Sequence, residues 1–117
     1  MFEKDVQLLV RKADGSVTKL PYWMNVVSLK NRAVLPVMFE KNYPVVFVVS
    51  HIDAEGVHTL LACVSTGDII AALPQFIENL DDIDGCCLSY YFEPSTEARK
   101  IVVEDICKEF DVPCHTL

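Results

Sequence analysis

No apolar run in this chain approaches the ~18 residues a helix needs to cross a bilayer. Its first residues, Met1-Phe2-Glu3-Lys4-Asp5, are charged at once instead of apolar. Neither a membrane segment nor a secretory leader is predicted, and a cytoplasmic location is expected. C-x-x-C is absent, which removes the spacing that zinc sites and thioredoxin-like centres use. The phosphate-binding loop, G-x-G-x-x-G, H-E-x-x-H and G-x-S-x-G are absent too, so no cofactor is expected and the reading leans away from an enzyme. Basic charge is scarce: 10 Lys and Arg face 17 Asp and Glu, a net charge of −7. Nucleic acid, whose phosphates demand a basic face, is excluded as a partner. There is no internal repeat, low-complexity segment or linker.

What is present is an apolar hairpin without a polar side. Residues 45–64 read VVFVVSHIDAEGVHTLLACV, two β-rich runs around Asp53-Ala54-Glu55-Gly56. Alternate positions give Val45, Phe47, Val49 and His51 on one side, and Val46, Val48, Ser50 and Ile52 on the other. A strand with two apolar sides must be covered on both, by helices, a second sheet or another subunit. With 117 residues, 51% of them hydrophobic, the chain suffices for one domain that buries roughly two-thirds of its unfolded surface.

Upstream, Val6 to Arg11 and Val17 to about Met24 flank Ala13-Asp14-Gly15-Ser16, a hairpin signal because Asp-Gly tolerates positive φ. A two-residue loop there would set Leu9 opposite Leu20 and Val6 opposite Trp23. Pro21 puts the return strand at an edge or near its end. Ala33 to Phe39 reads as a strand interrupted by Pro36. Ser65-Thr66-Gly67-Asp68 offers a capping box with Ser65 as N-cap, and a helix follows that Pro74 should kink or divide. Cys86 to Phe92 is a strand. Pro94-Ser95 starts a last helix with Ala98, Ile101, Val102, Ile106, Cys107 and Phe110 along one stripe, and a short extended segment closes the chain. The prediction is a single α+β domain over residues 1–117. Its mainly antiparallel sheet comes from N-terminal hairpins, and a strand–helix–strand–helix–strand part packs two helices on it.

Two clusters carry metal-ligating residue types. If the turn centres on Ala54-Glu55, His51 faces His58, with Cβ atoms roughly 5 Å apart, close enough to share a metal or a proton. A metal needs three or four ligands, and only two are in place. Cys86 and Cys87 would approach Cys114 and His115 if the last two strands paired in parallel. Neighbouring strand residues point to opposite faces, so Cys86 and Cys87 cannot both serve one metal. The five cysteines read first as small buried thiols. Asp82-Ile83-Asp84-Gly85 matches part of a calcium-loop pattern, but Leu80 and Tyr91 stand where its end carboxylates belong. Trp23, the one tryptophan, marks a candidate contact surface.

These observations make a non-enzymatic interaction or assembly module the leading expectation. Its partner would be another protein or a second copy of the chain, met as a homodimer through an apolar sheet face (Trp23, Phe47, Val49 and Leu60). No membrane partner is expected. Two alternatives stay open: an acidic inhibitor or immunity-type protein that covers a basic target, with Asp81, Asp82 and Asp84 in its surface; and a small metal-binding or thiol enzyme using His51 and His58, or Cys86, Cys114 and His115.

Overall fold

A computed structural model describes residues 2–117. Among the described residues eight strands form one sheet: β1 (Phe2–Val6), β2 (Leu9–Arg11), β3 (Val17–Lys19), β4 (Met24–Ser28), β5 (Val45–Ile52), β6 (His58–Thr66), β7 (Cys86–Phe92) and β8 (Cys114–Thr116). Four helices accompany them: α1 (Leu35–Met38), α2 (Ile69–Ala72), α3 (Pro74–Ile77) and α4 (Thr96–Phe110). The strand order is β1-β4-β7-β5-β6-β2-β3, with β8 also beside β6. The fold is mixed α+β. Pairings are antiparallel except at β6, along which β2 and β8 both run parallel, at Val10↔His58 and at Cys63↔Cys114 to Ser65↔Thr116. Among the described residues no helix is long and apolar enough to cross a membrane.

The two apolar sides of β5 build two separate cores. Val45, Phe47 and Val49 pack with Val64, Leu88, Ile69 and Leu73, under α1, α2 and α3. Val46 and Val48 pack with Leu60, Cys63, Cys87, Val103, Ile106 and Phe110, under α4. All five residues Val45 to Val49 have zero exposure. The chain thus covers both sides itself, and the sheet face expected to be left for a second copy is filled by its own helices.

The first hairpin differs from expectation by one residue. Lys12 N donates to Ser16 O at 2.8 Å and Gly15 N to Lys12 O at 2.9 Å, with Gly15 at φ +88°. Asp14 accepts from Ser16 N and Oγ at 2.9 and 2.6 Å. This longer turn ends in a left-handed glycine, so Leu9 pairs with Lys19, not Leu20. Val6 pairs with Met24 across β1 and β4, not with Trp23.

Residues 33–39 are not a strand. A 3-10 segment, Leu29–Val34, runs into α1, where Pro36 occupies the first turn of a helix that has no use for its missing N–H. Ser65 is not a cap: β6 continues through Thr66, and Asp68 caps α2 by accepting from Ala71 N. Pro74 does divide the helical stretch, giving α2 and α3. Ser95 caps α4 by accepting from Ala98 N at 3.1 Å, and Asp111 ends it at φ +53°.

The buried side of α4 is Arg99, Val103, Ile106 and Phe110, and Ile101 is exposed. Arg99 lies on this buried side with its charge satisfied. Its guanidinium donates to Ser65 Oγ (3.1 Å), Glu93 O (2.9 Å), Pro94 O (3.2 Å) and Thr96 Oγ1 (3.3 Å). Four acceptors make the burial of a charge tolerable, which residue-type periodicity does not foresee.

Candidate functional site

The sheet is curled, so that β1 and β2, far apart in strand order, come close together. β1 lies beside β4 and β2 beyond β6, yet only Gln7 and Leu8 separate the two strands, a link far too short to cross a flat sheet, so the chain leaves β1 and joins β2 directly. Asp5 supports this departure: it takes φ +51°, next to an irregularity in the β1–β4 register, and its N–H donates to Asn25 Oδ1 at 3.2 Å. Where the β1–β2 link closes the curled sheet lies a cavity of about 460 Å³. Its apolar wall includes Val6, Leu8, Val26 and Ile52, and its polar groups are Glu3, Gln7, Ser28, His58 and Cys87. Pockets that take small ligands commonly span ~300–1,000 Å³ and combine an apolar lining with a few placed polar groups.

His58 reaches this cavity because of the second hairpin's turn. Asp53 N donates to Val57 O and Gly56 N to Asp53 O, both at 3.1 Å, with Gly56 at φ +81°. Asp53 Oδ1 accepts from Glu55 N and Val57 N at 2.9 and 3.0 Å. This loop is one residue longer than a two-residue turn. Ile52 therefore pairs with His58 and His51 with Thr59, and the expected His51–His58 pair does not form. The two rings go to opposite faces. His51 Nε2 meets Asp82 Oδ2 at 3.1 Å beside Gly85, where a β-carbon would collide with that carboxylate. His58 Nδ1 meets Ser50 Oγ at 2.8 Å on the cavity side.

The chemistry of the His58–Ser50 pair follows from burial. Ser50 has zero exposure and His58 is the partner its hydroxyl has; Ser50 O–H donating to Nδ1 satisfies both groups. In that arrangement the ring proton sits on Nε2, the nitrogen that Ser50 leaves free. Burial holds the imidazole below its ordinary pKa, against the opposing pull of Glu3 and Asp53, so it is neutral at pH 7. Cys87 is pushed up by burial, and by Cys86 and Glu3, and stays a thiol. A hydroxyl and an imidazole at 2.8 Å resemble a nucleophile and its base. Yet a serine with no exposed surface cannot reach a substrate, and among the described residues no carboxylate hydrogen-bonds the ring. The pair fixes the orientation of His58.

This burial has a pH consequence. Because the folded-state value lies below 6.5, the unfolded chain takes up a proton at His58 as pH falls and the folded chain resists it. The stability from His58 is fully present above 6.5 and is lost as pH drops below it. Asp14 and Asp53, both held below the usual 3.8, lose their contribution only in more acidic solution. Urea midpoints measured from pH 7.5 down to about 5 should fall for the native chain and stay flatter for His58→Gln.

The other expected clusters are dispersed. Cys86 and Cys87 point to opposite faces, as strand geometry requires, and Cys86 Sγ donates to Asp82 O at 3.2 Å. β8 pairs with β6, not β7, so Cys114 is separated from Cys86 by two intervening strands. His115 turns to the face opposite Cys114 and packs edge-on against Phe76, ring centroids 4.8 Å apart. Among the described residues no group of three or more His, Cys, Asp or Glu is arranged to hold a metal ion. The acidic turn is partly engaged within the chain, through Asp82 with His51 and Asp84 with Arg32 at 3.1 Å. Phe47 and Val49 are fully covered and Leu60 is buried, whereas Trp23 is 61% exposed.

Sequence reasoning missed Glu3, Ser50 and Cys87 as neighbours of His58. One signal was available: Ser50 and His58 are polar residues in otherwise apolar strand positions, and each needed a partner. Comparison with known protein families, with curated proteins and with solved structures finds no match for this chain.

Proposed function

We propose that this chain is a binding domain for a small, largely apolar molecule that carries a hydrogen-bond acceptor at one end. The observation that carries this reading is His58, a buried neutral imidazole locked by Ser50 at the wall of the cavity. With Nδ1 occupied, Nε2–H is the ring group left to meet a ligand oxygen. Apolar side chains supply most of the remaining contact, and Glu3 at the rim favours a neutral or cationic ligand over an anion. The homodimer through Phe47, Val49 and Leu60 is not part of this proposal, because their faces are occupied by the chain's own helices.

A set of neutral cyclic amides and heteroaromatic fragments, followed by amide NMR shifts of the protein, tests it. Shifts should gather at Leu8, Val26, Gly56, His58 and Cys87. His58→Phe should weaken the best fragment up to about tenfold, the worth of one lost hydrogen bond. Shifts scattered over the surface, or binding indifferent to residue 58, would overturn the reading.

A second reading is favoured by Trp23, whose large exposed ring is the kind of anchor that protein interfaces use. It proposes a protein partner that docks on the β3–β4 connection. Trp23→Ala should then abolish partner capture while leaving fragment binding at the cavity intact.

A further inference from the structure

Outside the cavity, three thiols meet where the end of α4 packs on β6 and β8. Cys63 and Cys114 are direct partners in the parallel β6–β8 ladder and so share a face, the one α4 covers. Cys107 comes down onto the same place from the last turn of α4. The chain folds back immediately after it: Val112 N donates to Cys107 O at 3.4 Å, and the protonated Cys107 Sγ reaches Pro113 O at 3.6 Å. The three differ in access. Cys63 is buried, Cys107 is half-buried and Cys114 is exposed.

We propose that Cys107 and Cys114 form a dithiol that low-molecular-weight disulfides oxidise, closing an intramolecular bond that fastens β8 to the end of α4. Cys107 is the attacking thiol and Cys114 the resolving one. The Cys107 thiolate attacks one sulfur of a disulfide such as oxidised glutathione; that S–S bond breaks and one glutathione leaves as its thiolate. Cys114 then gives its proton to solvent, and its thiolate attacks the Cys107 sulfur of the mixed disulfide, expelling the second glutathione. Two protein thiols are oxidised to one disulfide, and one glutathione disulfide is reduced to two thiols.

The division of roles has a physical cause. The neighbouring Cys63 and Cys114 thiols favour the Cys107 thiolate and hold it below the usual thiol range. Cys63, beside Cys107 and buried, is raised and remains a thiol. Burial, then the bond to Cys107, raises Cys114. At neutral pH Cys107 is the more reactive, though a lower pKa also makes a thiolate less nucleophilic and tempers its advantage over Cys114.

The test is treatment of the full chain with oxidised glutathione at pH 7, followed by non-reducing peptide mapping. The native chain should yield a Cys107–Cys114 disulfide without retained glutathione. Cys114→Ser, at an exposed position that cannot threaten folding, should stop at a glutathione adduct on Cys107. Cys107→Ser should lose the intramolecular bond, with Cys114 modified several-fold more slowly than Cys107 is in Cys114→Ser. A glutathione adduct that persists on Cys107 in the native chain, a Cys63–Cys114 bond, or unchanged kinetics in Cys107→Ser would each overturn the assignment.

Discussion

Arg99→Ala is expected to cost the fold about 3–5 kcal/mol, a large share of the ~5–15 kcal/mol that holds a domain together. The truncation removes four hydrogen bonds from a charged donor and strands Ser65 Oγ, itself 1% exposed, with no partner. It also leaves a void beneath the first turns of α4, so lost packing adds to lost polarity. Arg99→Lys keeps the charge but not the planar fork that reaches acceptors on β6 and on the β7–α4 connection together, and should fall between the two. Urea unfolding reads this directly: a lower midpoint with an unchanged slope. A loss below ~1 kcal/mol would mean that the guanidinium is compensated by water and that α4 docks through Val103, Ile106 and Phe110 alone.

The second large effect separates two meanings of an apolar strand. Phe47→Ala should destabilise the chain by about 3–5 kcal/mol, because a ring with zero exposure is replaced by a cavity. Phe76, packed edge-on against Phe47 at a centroid distance of 5.8 Å, would lose its partner as well. Subunit number should not change. If Phe47 were a contact for a second copy, the substitution would instead shift the molecular mass in solution and leave the monomer's stability nearly intact. Sedimentation and chemical unfolding of the same sample therefore decide the matter.

Both residues show how far residue patterns reached. The hairpin around Asp53–Gly56 was evident from its β-rich runs, and so was the need to cover it on both sides. What covers it was not, because coverage depends on where distant segments return. Pro36 reads as a strand breaker or as a first-turn helix residue on local grounds alone, and only the packing of Leu35 and Phe39 selects the helix. Arg99 defeats periodicity for the opposite reason. A charged residue is assigned to the solvent side unless its acceptors are known, and those come from three different segments.

The candidate sites turned on single residues of register. Asp-Ala-Glu-Gly admits a two-residue turn that pairs His51 with His58, or a longer one that sends them to opposite faces. Asp53 decides between them by accepting two backbone N–H groups of its own loop. The cysteines depended on topology in the same way. Cys114 was a plausible neighbour of Cys86 until β8 was seen to choose β6, which delivers it to Cys63 and Cys107 instead.

Ligand binding in the proposed site depends on His58: neutral, locked by Ser50 at Nδ1, and offering Nε2–H to the cavity. The direct measurement is the long-range ¹H–¹⁵N spectrum of the His58 ring at pH 7, recorded alone and with the best-binding fragment. The predicted spectrum shows one protonated nitrogen, Nε2, an unprotonated Nδ1, and a shift of the Nε2–H resonance that saturates with fragment. A charged ring, a proton on Nδ1, or a ring that does not respond to bound fragment would contradict it.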